Sequence, residues 1–324
     1  MEARELGRSS IFVSRVILGC GNFGGVGSAP AFFGHGIPKD EALRIMDTAW
    51  ELGITTFDTA DAYGGGRSES FIGEWLATRD GSVRDAIVIE TKTFNPNEAG
   101  ADHGLARDRI LRQIDVSLGR LGLERVPLYL AHDFDPDVPQ EETLHAFDEL
   151  VRAGKVGAVG ASNFMGAQLS EALGISEREG VTRYEWVQNS LSLLDLDDAA
   201  AVLPVCRERG LGFEGFGPLA GGWLTGKYRR GATYPEGSRM TQRPESYERY
   251  ENDRVYDALE AFEREALGRG VSMAGLATAW LLGEPGVTAV VVGPTRAEHL
   301  EPVREAIALG LTSAEQAHLR GLFV

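Results

Sequence analysis

The chain has 324 residues, 43% hydrophobic and 25% charged, which is the mixture expected of a globular protein with a large core. Its 48 Asp and Glu residues outnumber 32 Lys and Arg residues, and the formal charge of −16 disfavours nucleic acid and anionic membranes as partners. Two cysteines, far apart in sequence, exclude a disulfide framework and a thiolate metal cluster.

Short β-branched runs alternate with amphipathic stretches along the whole chain, which predicts parallel strands with helical crossovers. The eight predicted strands are residues 16–19, 54–58, 86–92, 126–132, 156–162, 184–188, 211–216 and 287–293. A hairpin is predicted before the first strand, and TSAEQAHLRGLF predicts a helix after the last. Because no Pro-, Gly- or Ser-rich linker divides the series, we expect residues 1–324 to form a single domain. The predicted fold is a (β/α)8 TIM barrel with an N-terminal β-hairpin and a C-terminal helix.

Three predicted connections are long, at residues 20–38, 93–104 and 217–256. Gly19, Gly21 and Gly24 at the first of them have the spacing of a Rossmann dinucleotide-binding turn. Such a turn opens a helix whose N-terminus binds pyrophosphate. Here VGSAPAFFGHGIP follows instead, with two prolines and three more glycines. We therefore interpret the spacing as coincidence and keep a Rossmann dehydrogenase as a minority alternative.

Polar side chains recur at or just beyond the carboxyl ends of successive predicted strands, where a barrel enzyme assembles its site. They are Asp58, Lys92, His132, Ser162 with Asn163, and Gln188, and the aromatic Phe216 ends the next strand. Each alone is commonly a solvated or structural residue. Together they predict a polar ring around one barrel mouth.

The stretch ITTFDTADAYGGG places a tyrosine beside this ring. A phenol, a carboxylate, an ammonium and an imidazole around one pocket suit proton donation to a carbonyl oxygen. A free tyrosine has a pKa of about 10, so we expect Lys92 to stabilise the phenolate of Tyr63. Asp58 would hold the ammonium, and His132 would donate to the substrate oxygen. Asp61 is assigned to the turn alone.

The motifs FDTADAYG, IETK, YLAHDFD, VGASNF, WVQN, GPLAGGWLTGKY and VVGPTRAEHL resemble those of aldo-keto reductases in order and approximate spacing. This resemblance covers nearly the whole chain. It implies a barrel that binds NADPH in extended form, without a Rossmann fold, and interconverts aldehydes or ketones with alcohols. The implied catalytic tetrad is Asp58, Tyr63, Lys92 and His132, with Tyr63 as proton donor. The implied cofactor contacts are Ser162, Asn163, Gln188, Phe216, Gly217, Pro218, Leu219, Gly293, Thr295, Arg296 and His299.

Several positions depart from the family pattern. Phe216 stands where many members have a tyrosine, and Gly217 replaces a common serine. Pro302 and Val303 replace a Glu-Asn pair that is frequent near the adenine. Asp133 directly follows the predicted catalytic histidine and favours polar substrates. Aromatic side chains of the long loops are expected to line the substrate pocket, namely Phe23, Phe32, Phe33, Phe94 and Trp223.

Binding of the NADPH 2′-phosphate in so acidic a protein requires a local cation, and Arg296 is the best candidate. It lies at the predicted start of the last barrel helix, where free backbone N–H groups and the helix dipole favour an anion. The resemblance thus implies NADP(H) as the cofactor, with Arg296 as the predicted anchor of the 2′-phosphate.

Other functions are weighed against this prediction. A nucleotide-binding sensor with little turnover fits the same fold, although the complete tetrad argues against it, and an NAD-dependent sugar or alcohol dehydrogenase is a further alternative. A metal-dependent hydrolase requires paired ligands, which the six histidines do not supply, so no metal is predicted. The expected partner is a small carbonyl or alcohol, with no nucleic acid and no membrane, and the choice between monomer and homo-oligomer stays open. Because MEARELGRSS lacks the apolar core of a signal peptide, we expect a cytoplasmic protein.

Overall fold

The computed structural model describes the backbone of residues 1–324 and every side chain except that of Asp198. Eight of its strands close into a barrel in the order β10-β3-β4-β5-β6-β7-β8-β9, and each neighbouring pair is parallel. The strands are β1 Ala3–Glu5, β2 Phe12–Ser14, β3 Val16–Gly19, β4 Thr56–Asp58, β5 Val88–Thr93, β6 Val126–Ala131, β7 Val156–Ser162, β8 Tyr184–Ser190, β9 Gly212–Phe216 and β10 Ala289–Val292. This confirms the predicted (β/α)8 barrel and excludes the Rossmann alternative.

Helices connect the successive barrel strands, and two further helices follow the last strand. They are α1 Lys39–Glu51, α2 Arg67–Ala77, α3 Gly81–Ala86, α4 Arg107–Leu121, α5 Gln140–Arg152, α6 Gly166–Glu179, α7 Asp197–Arg209, α8 Arg239–Gln242, α9 Asp253–Arg269, α10 Met273–Gly283, α11 Glu301–Ala308 and α12 Ser313–Gly321. Helix α1 shows why they pack on the barrel, because Ala42, Ile45, Met46 and Ala49 recur at helical spacing and are buried. In the described part of the chain, no helix is long and apolar enough to cross a lipid bilayer.

The N-terminal hairpin closes the barrel at the amino ends of the strands. Strands β1 and β2 pair in antiparallel fashion, and Leu6 between them belongs to the same buried cluster as Ile17, Leu128 and Trp186. A Cβ atom at Gly160 would lie 2.6 Å from the Trp186 ring, so the glycine makes room for the indole. Since this end is filled by apolar side chains, a binding site must lie at the opposite mouth.

The loops at the carboxyl ends of the strands form that opposite mouth. No helix opens at Gly24, because α1 begins at Lys39 and only a short 3-10 turn at Pro30–Phe32 precedes it. The Rossmann-like glycine spacing is therefore a coincidence, as predicted. The loop after β9 contains α8 and several 3-10 turns before α9 begins at Asp253.

Leu6→Ala leaves a cavity where the N-terminal hairpin closes the barrel, and we expect the free energy of unfolding to fall by roughly 2–5 kcal/mol. Phe12→Ala on the same hairpin is the matched control, because its side chain is 59% exposed and its loss is expected to cost less than about 0.5 kcal/mol. Urea denaturation measures both. Equal losses of unfolding free energy in the two variants would show that the hairpin does not close the barrel in this way.

Candidate active site

A fully buried ion pair lies at the carboxyl ends of β4 and β5. Asp58 ends β4, and the ammonium of Lys92, one residue before the end of β5, pairs with its Oδ1. The ammonium also donates to the carbonyl oxygen of Thr59 at 3.0 Å. Burial works to lower the pKa of Lys92, but Asp58, Tyr63 and Glu90 together raise it above its ordinary value. Lys92 is therefore a permanent cation in the barrel core.

Tyr63 follows β4 in the turn that leads to α2. Its hydroxyl oxygen lies 3.5 Å from the Lys92 Nζ atom. Burial raises the pKa of Tyr63 to about 12, and the nearby Lys92 charge opposes this rise. Lys92 thus favours the phenolate as expected, but burial is the larger effect and keeps the phenol protonated. Gly64, Gly65 and Gly66 have φ values of 60°, 69° and 86°, so they turn the chain away from the tyrosine.

His132 directly follows β6 and packs against the tyrosine. Its ring lies edge-on to Tyr63, with 5.4 Å between the ring centroids and 82° between the planes. Burial, and then the Lys92 charge, hold the pKa of His132 well below its ordinary value. The imidazole is therefore neutral at neutral pH. A neutral ring offers one N–H donor without placing a second cation next to Lys92.

Amide and hydroxyl groups gather at the ends of β7 and β8. The Ser162 hydroxyl donates to the backbone carbonyl of Gln188 at 2.8 Å, and Asn163 donates through Nδ2 to the backbone carbonyl of His132 at 2.8 Å. Asn163 has a left-handed φ of 59°, a conformation that asparagine tolerates better than most residues. The structure thus brings the predicted amide residues to the same mouth as Tyr63.

Two buried acids at this mouth were missed in the sequence. Glu90 and Glu214 are fully buried, and each has an oxygen within 3.2 Å of the Gln188 Nε2 atom. Glu90 lies two residues before Lys92 and Glu214 two before Phe216, so strand alternation turns each toward the barrel interior. That alternation is the signal that was available.

Three cationic side chains, Lys227, Arg239 and Arg296, share one part of the rim with His299. Arg296 lies 3.4 Å from the His299 Nε2 atom, and His299 Nδ1 lies 3.1 Å from the Thr295 hydroxyl oxygen. Burial lowers the pKa of Lys227, and so does the charge of Arg239, which shows that these two are close. Neither Lys227 nor Arg239 was predicted from the sequence to have a role, although Lys227 lies inside the motif GPLAGGWLTGKY.

The start of the last barrel helix differs from the expectation. A 3-10 turn, Ala297–Leu300, precedes α11, and Arg296 is the residue before that turn. The backbone N–H of Ala297 is not free, since it donates to the Glu41 carboxylate at 3.0 Å. The start of this helix therefore has fewer free backbone N–H groups for an anion than the sequence predicted.

The loop aromatics do not all reach the mouth. Phe32, Phe33 and Phe94 are partly exposed. Phe23 and Trp223 have no exposed surface, so the structure contradicts the prediction that they line an open pocket. Trp223 instead packs in an aromatic cluster, with its ring centroid 5.1 Å from that of Tyr228. Burial of these rings stabilises the loop itself.

The other predicted contacts also lie on the rim. Phe216 ends β9, and Gly217, Pro218 and Leu219 continue from it into the following loop. Gly293 directly follows β10. Among the residues that the structure describes, no three His, Cys, Asp or Glu side chains are arranged to hold a metal ion.

A phenol beside a buried ammonium, a neutral imidazole, amide side chains and a cationic rim are the groups expected of a barrel oxidoreductase that takes an anionic nucleotide. The sequence profile of the Aldo/keto reductase family matches residues 15–322, and the chain belongs to this family. It is therefore an enzyme that depends on a nicotinamide cofactor and interconverts carbonyl and alcohol groups.

Individual relatives span most of the chain. It is 35% identical to the uncharacterized oxidoreductase YrpG of Bacillus subtilis (strain 168), over 100% of this chain and 96% of that protein. It is 34% identical to the L-glyceraldehyde 3-phosphate reductase of Escherichia coli O157:H7, over 85% and 81%. It is also 31% identical to a probable voltage-gated potassium channel subunit beta of Arabidopsis thaliana, over 95% and 91%.

Asp61 lies in the turn between β4 and Tyr63. We expect it to make the free energy of unfolding depend on pH. Its carboxylate accepts from the Thr93 hydroxyl at 2.9 Å, and burial raises its pKa to about 7. The unfolded value is about 3.9, so the folded state binds an extra proton between these pH values. The stabilisation that this proton provides is complete below the unfolded pKa and is lost as the pH rises through the folded pKa.

We expect the free energy of unfolding of the wild type to fall between pH 5 and pH 8 by roughly 2 kcal/mol more than that of Asp61→Asn. Urea denaturation at a series of pH values measures this difference. Asp108→Asn, which alters a carboxyl group that is 90% exposed, is the control and should keep the wild-type slope. Parallel curves for Asp61→Asn and the wild type would contradict the expectation.

Proposed function

We propose that this enzyme is an NADPH-dependent reductase of aldehydes or ketones in which Tyr63 donates a proton to the carbonyl oxygen. The observation that carries the proposal is the Tyr63 hydroxyl at 3.5 Å from a buried ammonium that Asp58 pairs. Burial keeps the phenol protonated until substrate accepts the proton, and Lys92 then stabilises the phenolate. His132 donates a hydrogen bond to the same oxygen and orients it. These four residues form the proposed catalytic tetrad.

The donor set at the mouth fits a nicotinamide dinucleotide. When bound, NADPH supplies the hydride. Ser162, Asn163 and Gln188 offer hydroxyl and amide groups next to Tyr63 for the carboxamide. The rim supplies cations for the phosphates, and we add Lys227 and Arg239 to the contacts predicted from sequence. The remaining proposed contacts are Phe216, Gly217, Pro218, Leu219, Gly293, Thr295, Arg296 and His299.

The proposed substrate is a small polar carbonyl compound. Phe32, Phe33 and Phe94 are partly exposed and supply apolar walls. Asp133 is exposed next to His132, and burial of part of its carboxyl group raises its pKa. A carboxylate at this position accepts hydrogen bonds from hydroxyl groups near the reacting carbonyl. This favours hydroxylated substrates over purely apolar ones.

The potassium channel relative favours a second candidate, a nucleotide-binding sensor with little turnover. The same contacts would bind NADPH in such a protein. The two functions differ in turnover, which is measured as NADPH consumption against a broad panel of aldehydes and ketones. A wild type that binds NADPH but reduces no carbonyl compound would support the sensor.

Tyr63→Phe should reduce turnover by a factor on the order of 10²–10⁴, because it removes the proton donor. The affinity for NADPH should stay nearly unchanged, since the hydroxyl is not a proposed cofactor contact. Tyr129→Phe is the control, because Tyr129 is a fully buried tyrosine whose hydroxyl has no hydrogen-bond partner in the described structure. Turnover of Tyr63→Phe equal to that of the control would refute the assignment.

Arg296→Ala should weaken NADPH binding about ten- to a hundredfold and leave NADH binding nearly unchanged, because only NADPH carries the 2′-phosphate. Quenching of protein fluorescence measures both dissociation constants. Arg304→Ala removes an exposed arginine that pairs with Glu301 on α11, and it should affect neither nucleotide. Equal weakening of NADPH and NADH by Arg296→Ala, or a wild type that prefers NADH, would place the phosphate contact elsewhere.

A further inference from the structure

The side-chain amide of Gln188 is surrounded by acids. Its Nε2 atom lies 2.6 Å from Glu90 Oε1, 3.1 Å from Asp58 Oδ1 and 3.2 Å from Glu214 Oε2. Strand register explains the arrangement, because Asp58 pairs with Glu90 across β4 and β5, and Gln188 pairs with Glu214 across β8 and β9. These two strand pairs lie on opposite sides of the barrel, so their inward side chains meet at its axis.

These contacts fix which end of the amide faces the mouth. Ionised carboxylates only accept hydrogen bonds, so they attract the NH2 group of Gln188 and repel its carbonyl oxygen. Within the described residues, no protein donor bonds to the Gln188 Oε1 atom, and this atom is not among the buried polar atoms that lack a partner. The amide therefore keeps an acceptor free on the side away from the acids.

Glu90 and Glu214 also interact with each other. Each gives one oxygen to Gln188, and the other oxygen of each, Glu90 Oε2 and Glu214 Oε1, is buried without a partner when both groups are ionised. Burial raises the pKa of both, to about 7 for Glu214 and well above the ordinary value for Glu90, and the charge of the neighbouring Glu214 adds to the rise at Glu90. One proton held between them satisfies these oxygens and removes one buried charge.

We propose that Glu90 and Glu214 are positioning residues: a buried carboxyl pair that holds Gln188 Nε2 inward and leaves its Oε1 to accept from the carboxamide NH2 of nicotinamide. This inference rests on the proposed cofactor. It assigns the two glutamates no step in the chemistry. Their effect is on how strongly the protein distinguishes an amide from a group that lacks the N–H donor.

The test compares NADP⁺ with its 3-acetylpyridine analogue, in which a methyl ketone replaces the carboxamide. The ketone accepts hydrogen bonds but donates none, so it cannot bond to a fixed Gln188 Oε1. The wild type should bind the analogue more weakly than NADP⁺. In the double variant Glu90→Gln, Glu214→Gln, the two new amides can donate as well as accept hydrogen bonds. The Gln188 amide can then exchange the positions of its NH2 group and its carbonyl oxygen. The dissociation constant of the analogue divided by that of NADP⁺ should then fall about three- to tenfold.

The ratio is insensitive to a general loss of affinity, because both ligands are measured on one protein. Glu69→Gln is the matched control, since Glu69 is a fully buried acid that bonds to Thr91 and Arg120 rather than to Gln188. It should keep the wild-type ratio. If the double variant does not fold, Glu90→Gln alone removes the charge at the shortest contact and should lower the ratio by a smaller factor.

The outcomes separate this inference from the proposed function. A wild type that binds neither nucleotide would refute the cofactor and the inference together. A wild type that binds both equally, or a variant ratio equal to that of the wild type, would overturn the positioning role and leave the cofactor assignment intact.

Discussion

The buried ion pair between Asp58 and Lys92 constrains the whole carboxyl end of the barrel. Removing two charges from water costs several kcal/mol for each ion, so such a pair persists only where further hydrogen bonds satisfy it. Here the Thr59 carbonyl and the Gln188 amide provide them, from the strand end and from the opposite side of the barrel. The pair therefore ties the loop after β4 to the barrel axis, and the position of Tyr63 follows from that connection.

Electrostatics then divides the mouth into an inner and an outer part. Inside, burial and the charge of Lys92 keep His132 neutral, while burial and the nearby acids keep Tyr63 protonated. At the rim, Lys227, Arg239 and Arg296 stand against a formal charge of −16. Because charges on a surface are screened within about a Debye length, roughly 8–10 Å, a local cluster outweighs the distant acids for a ligand in contact with it. The protein can thus be acidic as a whole and still bind phosphates.

Sequence periodicity was sufficient to predict the barrel and the polar ring, because strand order determines where the strand ends meet. It found every barrel strand, although β4 begins at Thr56 rather than at residue 54. It did not distinguish loop aromatics that face a pocket from those that support the loop, since burial of Phe23 and Trp223 depends on how two long loops pack. Glu90 was overlooked for a different reason: a single acid in an apolar strand resembles an exposed position until the opposite strands are known.

The number of N–H groups on Gln188 limits how many of the acids at the barrel axis can receive a hydrogen bond. The Gln188 amide has two N–H groups, and three carboxyl groups lie around its nitrogen. The two N–H groups cannot serve all three acids, and Asp58 is the one that also accepts from Lys92. Three ionised acids beside one ammonium would leave two uncompensated charges in a region without water. Protonating one glutamate reduces that excess to a single charge and supplies the missing donor. The carboxylates that stay ionised attract the Gln188 NH2 group, and the proposed orientation of the amide, with its carbonyl facing outward, follows from them.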